Sequence, residues 1–178
     1  MNIDVNAEYR ENDVRTLPVF ELASFVLRSE ECPASSEVCI SFVDNDEIAR
    51  LNKEFRGKEG PTDVLSFECD GADDEGFFDD AANSSADVPF ELGDVIIALD
   101  VAEAQTARYD TTLEGEVSLL LTHGLLHLCG YDHIEDDEAE VMEAREAELL
   151  SAWARERGLD MAIFGELNGA HALVRGEH

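Results

Sequence analysis

Ile3 and Val5 alternate with polar neighbours, and Val38, Ile40 and Phe42 alternate with Cys39, Ser41 and Val43. A period of two sends successive side chains to opposite faces, so both runs predict strands. Between them, residues 14–31 carry apolar positions at helical spacing, with Pro18 best placed in a first turn. A second helix follows, capped by Asp44 or Asn45, with Ile48, Leu51 and Phe55 toward the core and Gly57 as its stop. After a turn at Pro61 and Thr62, DVLSF at 63–67 predicts a third strand and LGDVIIAL at 92–99 a buried fourth.

Asp100 with Glu103, and Thr111 with Glu114, have the spacing of capping boxes and predict two further helices. The later one runs through Val117, Leu119, Leu120, Leu121, Leu125, Leu126 and Leu128 and ends near Gly130; being apolar nearly all round, it predicts a helix enclosed by the domain. From Ile134 the chain turns acidic and helical, with Met142, Leu149 and Trp153 on one face. The expected fold is α+β: a single domain with a small mixed sheet of about four strands and one strand hairpin-like insertion, packed with about five helices, and a metal site at the end of the buried central helix. A catalytic domain is expected over 1–157, interrupted at 68–91 by an inserted loop with nine acids and no Lys or Arg, in which Phe77, Phe78 and Phe90 could pin the loop to the body or form a small hairpin. Residues 158–178 form a Gly-rich tail without a structural signal.

Charge changes this picture. Forty-two acidic residues against 12 basic ones leave a formal net charge of −30, a field that repels nucleic acid and anionic membranes at long range. A nucleic-acid function therefore needs a local cationic patch. The N-terminus has neither a basic start nor a signal-length apolar run, and no apolar cluster approaches the roughly 20 residues of a membrane span, so a cytoplasmic protein without membrane contact is expected. Cys32, Cys39, Cys69 and Cys129 form no CxxC pair and are read as reduced thiols, with Cys129 a small buried hydrophobe.

The chemistry concentrates in HGLLHLCGYDH at 123–133, which holds three of the five histidines. On a helix, His123 and His127 are four apart and share a face. Gly130 can adopt a positive φ and reverse the chain, so that His133 reaches the same point. Three imidazoles suit one zinc ion and leave a fourth position open, the arrangement of a hydrolytic enzyme. Asp132 either orients a ligand or caps the helix end. The H-x3-H-x2-G-x2-H spacing matches that of the metzincin proteases, but Gly124 stands where they carry the catalytic glutamate.

HGLLHLCGYDH resembles the signature of the YbeY family, bacterial single-strand-specific endoribonucleases that act as rRNA maturation factors. LNKEFRGKEGPTDVLSF at 51–67 and LGDVIIAL at 92–99 are similar to two further blocks of that family, in register over about residues 51–144. The resemblance implies zinc at His123, His127 and His133, a functional arginine at Arg56, and RNA phosphodiester cleavage linked to 16S rRNA processing and ribosome quality control. Its partners would be the 16S rRNA precursor, the small ribosomal subunit and ribosome-associated proteins. The acidic loop and the chain beyond about residue 150 depart from the pattern and inherit no role.

Arg50, Lys53, Arg56 and Lys58, four of the twelve basic residues within nine positions, supply the required cationic patch, and no Lys or Arg follows them until Arg108. Lys53 and Arg56, three apart, can meet a phosphate backbone together, with Arg50 and Lys58 as further substrate contacts. Ion pairing with neighbouring acids on a solvated helix face is the bland alternative; the family block tips the reading only for Arg56, expected with His123 to be catalytic. Two other functions compete: a zinc peptidase-like hydrolase, and a ribosome-assembly binding protein whose zinc is mainly structural.

Overall fold

A computed structural model of the chain describes residues 1–69, 90–131 and 135–165. Four strands form one mixed sheet: β1 (Asn2–Asn6), β2 (Ser36–Val43), β3 (Val64–Glu68) and β4 (Phe90–Ala98), in the order β1-β2-β4-β3. β1, β2 and β4 run parallel, and β3 pairs antiparallel with β4, so the sheet is mixed as expected. Both strands reach into the predicted 68–91 loop, because Glu68 and Glu91 take strand conformation. The remainder of that loop, with Phe77 and Phe78, lies outside the described residues.

The described residues contain six α-helices rather than about five. The expected helix over 14–31 is two, α1 (Glu11–Arg15) and α2 (Val19–Ser29), with Pro18 in the N-cap position of the second. Proline lacks the amide hydrogen that a continuous helix would need there. α3 (Asn45–Arg56) is capped by Asp44, whose carboxylate accepts from the Glu47 amide at 2.8 Å. Ile48 is fully buried against Leu65 and Ala98, but Phe55 is 60% exposed, contrary to expectation. Its ring stands edge-on to Phe67 at 5.2 Å, tying the end of α3 to β3.

α4 (Leu99–Tyr109) starts directly where β4 ends, so Asp100 and Glu103 make no capping box. Both carboxylates instead accept from the Arg10 guanidinium, at 2.9 and 2.7 Å, and Asp100 also accepts from the Tyr9 hydroxyl. The cap of α5 (Leu113–Leu128) lies one residue later than expected: Thr112 accepts from the Gly115 amide at 3.0 Å, while Thr111 donates to Glu116.

α5 is the buried central helix. It packs on β3 and β4 and is flanked by α2, α4 and α6 (Asp136–Arg157), so thirteen of its sixteen residues are buried. Each fully buried leucine contributes roughly 1.5–3 kcal/mol of transfer free energy, and Leu119, Leu121, Leu125 and Leu126 are all in that state. Close approach of helix to sheet depends on Gly124, since a Cβ there would lie 2.8 Å from Val95 Cγ1. Beyond α6 the chain is structured further than its sequence suggests: Met161–Phe164 forms a 3-10 turn and Phe164 is fully buried. The Ile163 carbonyl lies 1.8 Å from where a Cβ on Gly115 would be, so this turn seats directly on α5. No helix among the described residues is long and apolar enough to cross a membrane.

Candidate metal centre

His123 and His127 lie in the last turns of α5 with their Nε2 atoms 3.1 Å apart. Helical periodicity brings them together. The rings are nearly perpendicular, at 84°, with centroids 4.7 Å apart. What holds each ring decides what the two nitrogens can do.

His127 Nδ1 lies 3.0 Å from the Tyr131 carbonyl oxygen. A carbonyl only accepts, so Nδ1 carries the hydrogen, and the neutral ring has its lone pair at Nε2. His123 Nδ1 is bound by the Glu146 carboxylate from α6, and a carboxylate that only accepts places the hydrogen of the neutral ring at Nδ1 as well. Both side chains are deeply buried, with His123 3% and Glu146 1% exposed. With both hydrogens at Nδ1, the two Nε2 lone pairs face one another across 3.1 Å, an opposition that a shared proton or a cation would relieve. Two nitrogens bound at about 2.0–2.1 Å to a tetrahedral zinc are separated by about 3.3 Å, close to the spacing found. The donor set fits zinc, and the carboxylate and carbonyl behind it are the partners that metal-ligating histidines commonly have.

Gly130, at φ 102°, turns the chain after α5, as its place in the motif predicts. This reversal presents the Tyr131 carbonyl to His127. His133, the third expected ligand, and Asp132 lie outside the described residues. Among the described residues no set of three His, Cys, Asp or Glu side chains converges on a metal position.

Glu146 is the residue that sequence reasoning missed. Its signal was its phase: Met142, Glu146, Leu149 and Trp153 follow one another at helical spacing, and all four are buried. A carboxylate on an apolar stripe requires a partner. Tyr131 is held in turn, because its hydroxyl donates to Glu30 at 2.9 Å and Glu30 also accepts from Arg145 at 2.6 Å. Burial first, and then the bond to Glu30, raise the Tyr131 hydroxyl above the usual tyrosine value. Burial and the Glu146 and Glu140 charges likewise raise Glu143. Beside this network, Cys32 and Cys129 sulfurs approach to 3.6 Å, and the contact lowers the Cys32 thiol while raising that of Cys129.

The cationic residues occupy a different element. Arg56 is the last residue of α3 and is exposed. Arg50 is engaged by Glu47 and Glu54, at 2.7 and 2.8 Å, and Lys53 lies 3.3 Å from Glu59, the ion-paired helix face of the bland alternative. Lys58 is exposed just beyond the helix, its amide donating to the Asn52 carbonyl at 3.3 Å. Buried Asn52 donates to the Gly60 carbonyl at 3.0 Å, and buried Asp63 accepts from the Val64 amide and from Gln105, so the segment after Arg56 is pinned to the sheet. β3 connects the two regions, with Phe67 against Phe55 on α3 and Val64 beneath Gly124, next to His123.

Comparison with known proteins agrees with this architecture. The family model described as Endoribonuclease YbeY matches residues 3–154. A protein of Geobacillus thermodenitrificans named Endoribonuclease YbeY is 39% identical over 155 residues, 87% of this chain and 96% of that protein. Proteins of the same name from Oceanobacillus iheyensis and Bacillus subtilis are each 38% identical, over 76% and 78% of this chain and 86% of their own length. The solution structure of TM1509 from Thermotoga maritima superposes with a TM-score of 0.57 at 26% identity, covering 88% of this chain and 92% of that one. The buried histidine helix, the mixed sheet beneath it and these matches lead to one conclusion: the chain belongs to the YbeY endoribonuclease family.

Proposed function

We propose that this protein is a zinc-dependent, single-strand-specific endoribonuclease acting in the cytoplasm on the 16S rRNA precursor, in maturation and quality control of the small ribosomal subunit. The observation that carries the metal reading is the 3.1 Å opposition of two Nε2 atoms whose rings are each fixed by an acceptor at Nδ1. Family membership supports the RNA substrate.

His123, His127 and His133 would hold one zinc per chain. When bound, zinc supplies Lewis acidity that polarises a phosphoryl oxygen. Glu146 keeps the Nδ1 hydrogen of His123 in place, and the Tyr131 carbonyl does the same for His127, so neither ring must reorient during the reaction. The forked guanidinium of Arg56 stabilises negative charge growing on the phosphorus centre. Arg50, Lys53 and Lys58 contact the RNA backbone, and for Arg50 and Lys53 a phosphate must displace the carboxylates that engage them. Ribosome-associated proteins would help bring so acidic a chain to RNA.

A peptidase is disfavoured by Gly124, because position 124 faces Val95 and Val64 in the sheet and leaves no room for a catalytic glutamate. The test is to incubate zinc-loaded protein with unstructured RNA and with casein, and to repeat both with His123→Ala. RNA cleavage lost in the variant, with casein intact throughout, is expected. Cleavage that survives both chelation and the substitution contradicts the reading.

A further inference from the structure

Cys32 and Cys129 are 97 positions apart in sequence, yet their sulfurs touch at 3.6 Å. Both are half-buried and free. Cys32 follows α2, held by its amide to the Leu27 carbonyl at 3.0 Å, and Cys129 is the C-cap of α5, its amide directed at the Leu125 and Leu126 carbonyls. Two residues from each cysteine, Glu30 accepts from the Tyr131 hydroxyl at 2.9 Å. The end of α2 and the turn after α5 are therefore joined by two rungs, one a hydrogen bond and the other a pair of thiols. The second rung stands between His127 and Tyr131, whose carbonyl holds the His127 ring.

We propose that Cys32 and Cys129 are a redox modification site, closing to a disulfide that restrains the turn beside His127 and loosens the metal centre. The sulfurs are short of a bond of about 2.05 Å by about 1.6 Å, a gap that side-chain torsion and a small shift of the turn can close. Cys129 directly follows buried Leu128 at the end of α5, and Cys32 stands five residues beyond buried Leu27. Closure draws the two segments together, and any displacement of Cys129 is passed to the Tyr131 carbonyl two residues on, which holds the His127 ring. The oxidant is a small-molecule disulfide of the glutathione class. One protein thiolate attacks it, expelling one small thiol and leaving a mixed disulfide, and the second protein thiolate attacks the protein sulfur and expels the other. Two protein S–H bonds become one S–S bond, the small disulfide takes up the two electrons, and the two protons pass to its thiolates.

The coupling to metal rests on the zinc reading proposed above, whereas the disulfide itself does not. By linkage, if the disulfide weakens zinc binding by some factor, bound zinc must oppose oxidation by the same factor. The test equilibrates the full chain in graded ratios of oxidised to reduced glutathione, with and without zinc, and maps disulfides by mass spectrometry of peptides. A Cys32–Cys129 link forming ahead of any involving Cys39 or Cys69, with its midpoint moved several-fold toward oxidised glutathione by zinc, is expected. Cys32→Ser should leave Cys129 as a glutathione adduct and abolish the zinc-dependent midpoint. Glutathione adducts on both cysteines of the unaltered chain without a link between them overturn the site. A linked pair whose midpoint ignores bound zinc overturns the coupling. Metal analysis of the same samples reports independently on zinc: a chain that takes up none defeats the functional reading, while the peptide map still decides the disulfide.

Discussion

The carboxylate of Glu146, in the middle of α6, accepts from the Nδ1–H of His123 on α5, and both groups are almost wholly out of water. Removing the carboxylate's negative charge, even with an amide carbonyl left to accept, lowers the basicity of the ring. Glu146→Gln is expected to weaken zinc binding about 10- to 100-fold. Competition with a chromophoric chelator measures this directly. Unchanged affinity would remove Glu146 from the metal centre and leave it a buried structural carboxylate.

Arg56 and Arg50 should separate by their kinetics. Arg56→Ala is expected to reduce RNA turnover about 100-fold, the scale of losing one donor to developing charge, with zinc content unchanged. Arg50 is exposed and paired only at the surface, so Arg50→Ala should shift stability by less than about 1 kcal/mol and act mainly through the salt dependence of RNA binding. Single-turnover cleavage at graded salt distinguishes the two. An Arg56→Ala protein that loses zinc would assign Arg56 a structural role instead.

Gly124 sets the distance between α5 and the sheet. Gly124→Ala places a methyl group against Val95 and should cost about 1–3 kcal/mol in urea unfolding, the usual range for overpacking. Gly124→Glu should cost more and produce no casein cleavage. Peptidase activity in that variant would show that position 124 faces the metal after all.

Phe164 contributes to the core although it lies beyond the last α-helix. Phe164→Ala is expected to destabilise the protein by about 3–5 kcal/mol. Gly115→Ala, which drives a methyl into the Ile163 carbonyl, should likewise unseat the turn. Denaturant titration of both variants checks this, and a Phe164→Ala midpoint equal to that of the unaltered chain would contradict the packing described.

The legible parts of this protein are those governed by short-range periodicity. His123 and His127 could be paired from their spacing, and Gly130 identified as the reversal, because helix geometry and a positive φ are local properties. The β2 alternation and the two strands at 63–67 and 92–99 were legible for the same reason. Tertiary partners decided the rest. Asp100 and Glu103 have capping-box spacing, but Arg10 from the other end of the chain takes both carboxylates. Phe55 has the phase of a core residue, yet the end of α3 projects past the sheet and its ring finds Phe67. Glu146 was hidden by its neighbours, since in so acidic a stretch one more carboxylate reads as solvated face until α5 is known to lie against it. Phe164, an isolated aromatic in a Gly-rich segment, carries no periodicity at all.

X-ray absorption at the zinc edge of the loaded protein reads whether the Nε2 atoms of His123 and His127 bind one metal ion. One zinc per chain is expected, with a nitrogen shell at about 2.0–2.1 Å showing imidazole scattering that diminishes in His127→Ala. A shell of sulfur at about 2.3 Å, or a spectrum that the substitution leaves unaltered, would contradict it.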